Sequence, residues 1–167
     1  MPKIGEKIIY GTEGVMTVVD VREVNVGDVS REYYVLTDPS SSSASETFVP
    51  VDSELVARMR PLLSRRELDE AFRLAAKIPK AEPSADSKAR SRRYREVIES
   101  GDRSEMLAMI AEIRRASRER EAGGKRIYLA DENAMRRAER LITSELSAVL
   151  GISEGEAMAL IEKKLAL

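Results

Sequence analysis

The stretch Pro61-Leu62-Leu63-Ser64-Arg65-Arg66-Glu67 divides the chain into two parts with different sequence patterns. The residues before it form short runs rich in β-branched and aromatic side chains, which favour strands. After it, apolar residues recur at the spacing of three and four that is typical of helices. Ser64 and Glu67 have the spacing of a capping box, which marks the start of a helix. The sequence therefore predicts an α+β protein, with a β domain over residues 1–62 and a helical domain over residues 63–167.

The first part contains five candidate strand segments and no helical pattern. They cover residues 7–10, residues 15–21, the region of Val24, residues 32–36 and residues 46–51. A polar turn is predicted at residues 25–28, and the serine-rich segment 38–45 is predicted to be a loop. Short strands at this spacing, with no helix between them, favour a small twisted barrel or an open sheet.

The second part is predicted to contain about five helices. The first begins at Ser64 and ends before Pro79, and a segment rich in Pro, Ser and Ala follows. The later helices are predicted over residues 88–100, residues 102–121, residues 131–150 and from Ser153 to the end. Ser153 and Glu156 repeat the capping-box spacing, and Gly151 lies where a C-terminal cap belongs.

The composition lowers the expectation of catalysis. The 167 residues include no Cys and no His, which removes disulfides, thiolate metal sites and the commonest general base. We therefore expect no catalytic residues, no metal and no cofactor, with an enzyme built on carboxylates kept as an alternative. There is no apolar run of roughly 18 residues that would span a membrane, and no apolar signal core near the N-terminus. A cytoplasmic protein that does not bind membranes is expected.

The nearly neutral net charge of −1 conceals a difference between the two parts. Residues 1–62 contain 6 Lys and Arg against 10 Asp and Glu, whereas residues 63–167 contain 22 against 19. An acidic domain joined to a basic domain indicates two units that bind different partners.

A cluster of cations surrounds Tyr94 in the second part; its members are Lys88, Arg90, Arg92, Arg93 and Arg95. In a helix, Lys88, Arg92 and Arg95 would share one face, while Tyr94, Val97 and Ile98 would share another. Such a helix could contact phosphate while its apolar face anchors it, or it could simply be a solvated surface with Tyr94 in the core. The same two readings apply to the cations at positions 114, 115, 118 and 120 and to Lys125 and Arg126 after the glycine pair.

Several segments, taken in order, resemble the CarD family of bacterial transcription regulators. In the first part these are Ile4-Gly5-Glu6-Lys7-Ile8-Ile9-Tyr10, Gly14-Val15, Glu32-Tyr33-Tyr34-Val35-Leu36 and Val49-Pro50-Val51. In the second part they are Arg92-Arg93-Tyr94-Arg95-Glu96, Ser100-Gly101-Asp102, Ser144-Glu145-Leu146, Gly151-Ile152-Ser153-Glu154 and Glu156-Ala157. The resemblance covers nearly the whole chain, and it rests on the order and spacing of these segments.

The resemblance implies a small SH3/Tudor-like barrel that binds the RNA polymerase β subunit, followed by a helical domain that contacts promoter DNA at the upstream edge of the transcription bubble. The expected result is a stabilised open complex, and the protein is expected to act as a monomer. The polymerase-binding residues would be Arg22, Glu23, Val24 and Val26 at an exposed strand edge, with Thr47 and Phe48 on the adjacent strand. The alternative for Phe48 is a place in the core. The DNA-binding residues would be Lys88, Arg90, Arg92, Arg93, Arg95, Lys125 and Arg126.

The sequence departs from the family pattern at several of these positions. The family carries a Trp four residues before the Tyr of the basic stretch, as an apolar wedge at the bubble edge, and this position is Arg90 here. Its usual Arg residues are replaced by Val24 and Phe48, and its basic pair at the start of the next helix by Glu132 and Asn133. A second hypothesis follows, in which the chain is a divergent paralogue that acts only as a protein-interaction module on RNA polymerase.

Overall fold

A computed structural model describes residues 1–43 and 45–167 of the chain, with the backbone but not the side chain of Val26. Within these residues the chain forms two compact units, Met1–Leu62 and Leu63–Leu167. The first contains five strands and a short 3-10 helix, Glu54–Arg58, and the second contains five α-helices. The predicted α+β fold, a small β domain before an all-α domain, is confirmed.

The strands of the first unit form one antiparallel sheet. They are β1 (Lys7–Tyr10), β2 (Gly14–Val26), β3 (Val29–Thr37), β4 (Glu46–Pro50) and β5 (Met59–Pro61), and they lie in the order β4-β3-β2-β1-β5. The segment 15–21 and the region of Val24, which were expected to be separate, belong to the single long strand β2. The fifth strand is instead β5, which pairs with β1. Three residues are too few to show an alternating pattern, so no local pattern marks β5.

One face of the sheet is apolar and forms the core of the first unit. Its buried residues come from β1 to β4; they are Ile8, Tyr10, Met16, Val18, Tyr34, Leu36 and Val49. Because side chains alternate across a strand, the residues between these lie on the other face, where Ile9, Val15 and Val35 are also buried.

Strand β2 is much longer than its neighbour β1, and this leaves part of β2 with a free edge. The register with β1 ends at the pair Lys7 and Thr17. Val18 then hydrogen-bonds to Gly5 and Glu6 at 2.7 and 2.9 Å. Beyond that point, in the backbone that the structure describes, β2 pairs only with β3 on its other side. Along residues 19–26 this edge of β2 has no neighbouring strand, and the Val21 amide there donates to Oδ1 of Asp20 at 2.9 Å.

The helices of the second unit are α1 (Arg65–Ala75), α2 (Ser87–Ser100), α3 (Arg103–Ala122), α4 (Leu129–Leu150) and α5 (Glu154–Leu165). Both predicted capping boxes are present, at Ser64 with Glu67 and at Ser153 with Glu156. Gly151 ends α4 in the left-handed conformation at φ 69°, which a residue without a Cβ adopts readily. The most deeply buried large side chains of this unit include Tyr94, Leu107, Ile110, Ile142 and Ile161.

A buried carboxylate joins three segments of the second unit. The Glu145 residue on α4 is 1% exposed. It accepts hydrogen bonds from Nε and Nη2 of Arg103 at 2.7 and 2.9 Å and from the backbone amide of Leu63 at 2.9 Å. Glu145 thereby links α4 to the start of α3 and to the residue at which the chain enters the unit.

We expect Glu145→Ala to lower the free energy of unfolding by about 3–5 kcal/mol, because the mutation leaves the buried Arg103 guanidinium without its counter-charge. Urea denaturation followed by circular dichroism measures this change. The exposed Glu99→Ala, which removes a carboxylate from the surface of α2, should stay within about 0.5 kcal/mol of the parent protein. Equal effects of the two substitutions would contradict a structural role for Glu145.

Candidate nucleic-acid interface

Three cations form an exposed face on α2, which we call the α2 basic face: Lys88, Arg92 and Arg95. Their spacing places them on one side of the helix, as the sequence predicted. Among the ion pairs of residues 1–43 and 45–167, none involves these three side chains. Their positive charge is thus available to an anionic partner.

The opposite face of α2 is anchored through Tyr94, which is 1% exposed. Its hydroxyl donates to Oε1 of Glu112 on α3 at 3.1 Å, and Nη2 of Arg93 donates to Oε2 of the same carboxylate at 2.5 Å. Burial, together with the charge of Glu112, raises the pKa of Tyr94 well above its ordinary value, so the hydroxyl remains a donor. Arg93 is therefore partly committed to an internal network, although about half of its side chain remains exposed.

Arg90 lies in the interior, and not on the surface where a DNA contact was expected. Arg90 is only 5% exposed. Nε donates to both carboxylate oxygens of Asp131 at 2.9 Å, and Nη1 donates to the Ser84 carbonyl at 2.7 Å. The hydrogen bond to Asp131 raises the pKa of Arg90, which keeps the guanidinium charged. The sequence did contain a signal for this burial, because Arg90 precedes Tyr94 and Ile98 at intervals of four residues.

The segment between α3 and α4 folds back on the end of α3. The amide of Lys125 donates to the Arg120 carbonyl at 2.8 Å, and Nε of Arg120 donates to the Arg126 carbonyl at 2.9 Å. Gly124 has φ +73°, which permits the tight reversal. Lys125 and Arg126 are both exposed beside this turn.

Tyr128, which the sequence analysis did not single out, follows this basic turn and is 49% exposed. The Cζ atoms of Arg120 and Arg90 lie 3.9 and 4.9 Å from its ring centroid, within the range of cation–π contacts. The only hint in the sequence is an aromatic residue two positions after Lys125-Arg126 in a chain with few aromatics.

The acidic residues at the start of α4 form ion pairs with arginines of the same unit. Asp131 is engaged by Arg90, and Oε1 of Glu132 lies 2.6 Å from Nη2 of Arg136 one turn further along the helix. Asn133 is exposed and uncharged. The acidic character expected at Glu132 is thus reduced by a neighbouring arginine, as is common for such helical pairs.

In the first unit, the predicted polymerase-binding residues lie on β2 and β4. Thr47 and Phe48 were expected on the strand next to β2. This expectation is wrong, because β3 lies between β2 and β4. Arg22 nevertheless reaches across β3, with its Nη1 3.4 Å from Oε2 of Glu46 and its Cζ 5.8 Å from the Phe48 ring. Phe48 also packs edge-on against Tyr33 at 6.1 Å between ring centroids.

Phe48 is 41% exposed, so it is not a core residue. Arg22 and Glu23 are also exposed, whereas Val24 is half-buried. The side chain of Val26 lies outside the part of the chain that the structure describes. Arg22, Glu23 and Val24 fall within residues 19–26, where β2 has its free edge.

Membrane-spanning helices and clustered metal ligands are both absent from the part of the chain that the structure describes. None of the described helices is both long and apolar enough to cross a membrane. The described residues also contain no group of three or more Asp or Glu side chains placed to hold a metal ion.

Comparison with known families assigns both units. Residues 3–63 match the CarD-like/TRCF RID domain, and residues 74–162 match the CarD C-terminal domain. These domains define the class of the protein as an RNA polymerase-associated transcription factor. The chain belongs to the CarD family, as its resemblance predicted, and this family consists of transcription factors and is not known for enzymes. No curated protein matches the chain.

We expect Arg90→Trp to destabilise the second unit by about 3–5 kcal/mol, because the indole leaves the buried Asp131 carboxylate without a counter-charge. Combining it with Asp131→Ala should recover a large part of this loss, and chemical denaturation of the four members of the cycle measures the coupling. Arg92→Trp on the α2 basic face is the matched control and should change stability by less than about 0.5 kcal/mol. If Arg90→Trp unfolds with the same free energy as the parent protein, the ion pair is dispensable for stability.

Proposed function

We propose that this protein regulates transcription by binding the RNA polymerase β subunit through its β domain and promoter DNA through its helical domain. The DNA contact falls near the upstream edge of the transcription bubble, and the outcome is a more stable open complex. The observation that carries the proposal is the α2 basic face, which is exposed and free of ion pairs among the described residues, in a chain whose two units both match CarD domains.

The DNA contact is attributed first to the α2 basic face. Cations that neutralise phosphates release condensed counterions, which gives an affinity that falls steeply with salt. Lys125 and Arg126, which are exposed in the turn after α3, are proposed as further phosphate contacts. Arg93 contributes with the exposed part of its side chain. Arg90 contributes indirectly, because it holds α2 against the start of α4, and it does not contact phosphate.

The polymerase contact is attributed to the free edge of β2. An exposed edge offers backbone donors and acceptors to a strand of the partner, and nearby side chains select that partner. Arg22, on the strand that carries this edge, reaches across β3 and pairs with the Phe48 ring on β4, and Arg and aromatic residues are enriched at protein interfaces. Glu23, Val24, Val26 and Thr47 complete the proposed surface.

Open-complex stabilisation follows if both contacts form at once. Binding to polymerase raises the effective concentration of the helical unit at the DNA, so that weak phosphate contacts become occupied. The protein can shift the closed-to-open equilibrium only by the difference between its affinities for the two states. The DNA contact must therefore favour melted DNA over duplex.

The alternative function is that of a protein-interaction module on RNA polymerase without open-complex stabilisation. The observation that favours it is Arg90, which occupies the position of the family's Trp and is buried. Under this alternative, the chain binds polymerase and has no measurable affinity for DNA at physiological salt.

The α2 basic face is tested by Arg92→Ala combined with Arg95→Ala. We expect weaker promoter-DNA binding and a salt slope of log affinity reduced by about 1.8, because two phosphate contacts are lost. Fluorescence anisotropy across a salt series measures both quantities. Arg65→Ala with Arg66→Ala removes two exposed cations from α1 and serves as the matched control. Equal slopes for the two double variants would refute the assignment of α2.

The β2 edge is tested by Arg22→Ala combined with Phe48→Ala. We expect binding to the β subunit to weaken by about tenfold or more, because an arginine and an aromatic anchor are removed together. Biolayer interferometry with the isolated β lobe measures this affinity. Leu55→Ala removes another exposed apolar side chain of the same unit and should bind as the parent does. An unchanged affinity of the double variant would exclude this surface.

A further inference from the structure

We propose that Tyr128, together with Arg120 stacked on it, forms a platform that binds an unpaired base of melted DNA. We call these two side chains the Tyr128 platform. The inference rests on the proposed function, since it names the group that distinguishes melted DNA from duplex. It assigns to the turn between α3 and α4 a contact that its phosphate-binding cations alone do not supply.

The exposure of Tyr128 is the first support. The chain has five Tyr, two Phe and no Trp, and Tyr128 is 49% exposed while Tyr94 in the same unit is 1% exposed. The next residue, Leu129, is 71% exposed. An aromatic and an aliphatic side chain thus lie together at the surface, where their burial against a partner would be favourable.

The Tyr128 ring is held in place by two arginines from different helices, α2 and α3. Arg120 lies 3.9 Å from the ring centroid, and its Nε is fixed by the hydrogen bond to the Arg126 carbonyl. Arg90 lies 4.9 Å from the centroid and is itself fixed by Asp131. A ring that is already immobilised loses little conformational freedom on binding, which favours affinity.

The charge around the ring points to nucleic acid. Residues 115–128 include five cations, Arg115, Arg118, Arg120, Lys125 and Arg126, against the two acids Glu119 and Glu121. A depression of about 470 Å³ beside Tyr128 is lined by the cations Arg120 and Lys125, by Glu119 and by the paired Arg90 and Asp131. Aromatic rings within a cationic surface are the arrangement that single-stranded nucleic acids use, with bases stacked on rings or on guanidinium planes.

Stacking on the platform requires that a base be unpaired and unstacked. In duplex DNA both faces of a base are covered by its neighbours, so the ring has no access to them. At a melted edge a base can leave the stack and cover the exposed ring, while the cations contact the adjoining phosphates. The Tyr128 platform therefore supplies selectivity for melted DNA, whereas the cations supply affinity for any DNA.

The test compares two fluorescently labelled DNAs of the same sequence, one fully paired and one with a short unpaired bubble, and uses the full chain. We expect the parent protein to bind the bubble DNA more tightly. Tyr128→Ala should reduce this preference by about fivefold or more, since stacking on an aromatic residue contributes about that factor per base. Its duplex affinity and salt slope should be unchanged. Tyr128→Phe keeps the ring and should keep the preference.

Other outcomes separate the platform from the proposed function. Equal binding of both DNAs by the parent protein overturns the platform but leaves the proposed DNA contact of α2 intact. Binding to neither DNA refutes the DNA part of the proposed function and the platform with it. A uniform loss on both DNAs, or weaker binding of Tyr128→Ala to polymerase without DNA, assigns the ring to another contact and overturns the platform. Tyr128→Leu also removes the ring. If its unfolding midpoint equals that of the parent protein, misfolding is excluded as the cause of a lost preference for bubble DNA.

Discussion

The buried ion pair between Arg90 and Asp131 is the interaction on which the packing of α2 against the start of α4 depends. It joins α2 to the first turn of α4, and the Cζ of the same guanidinium lies 4.9 Å from the Tyr128 ring centroid. Removing a charge from water is costly, and the cost is offset here because Asp131 receives Nε at both oxygens and Ser84 accepts from Nη1. One side chain thus fixes the helix, the turn and the aromatic ring together.

The cations of the helical unit divide into two groups with different physical roles. Arg90, Arg103 and Arg114 are directed at buried or half-buried carboxylates and hold helices together. Lys88, Arg92 and Arg95 point away from the core, and no described ion pair neutralises them. Net charge therefore says little about which arginines can meet a phosphate, and it is burial that separates the two groups.

Most of the fold could be predicted from the sequence, because capping boxes and helical periodicity are local signals that tertiary packing did not override. The short strand β5 could not, since it exists only through its pairing with β1. The α2 basic face followed from spacing alone. The exposure of Tyr128 did not follow from spacing. The burial of Arg90 had only a local hint in its distance from Tyr94 and Ile98, because its partner Asp131 lies 41 residues away in sequence.

Arg90 and Tyr128 are best understood together. An apolar wedge at position 90 would require a surface site there, but Arg90 faces a carboxylate that needs its charge. The aromatic surface is instead found at Tyr128, which rests on that same arginine. A base that stacks on Tyr128 would be held by a ring whose position is set by the Arg90–Asp131 pair. Loss of the pair should then weaken the preference for melted DNA even though neither of its residues touches a base.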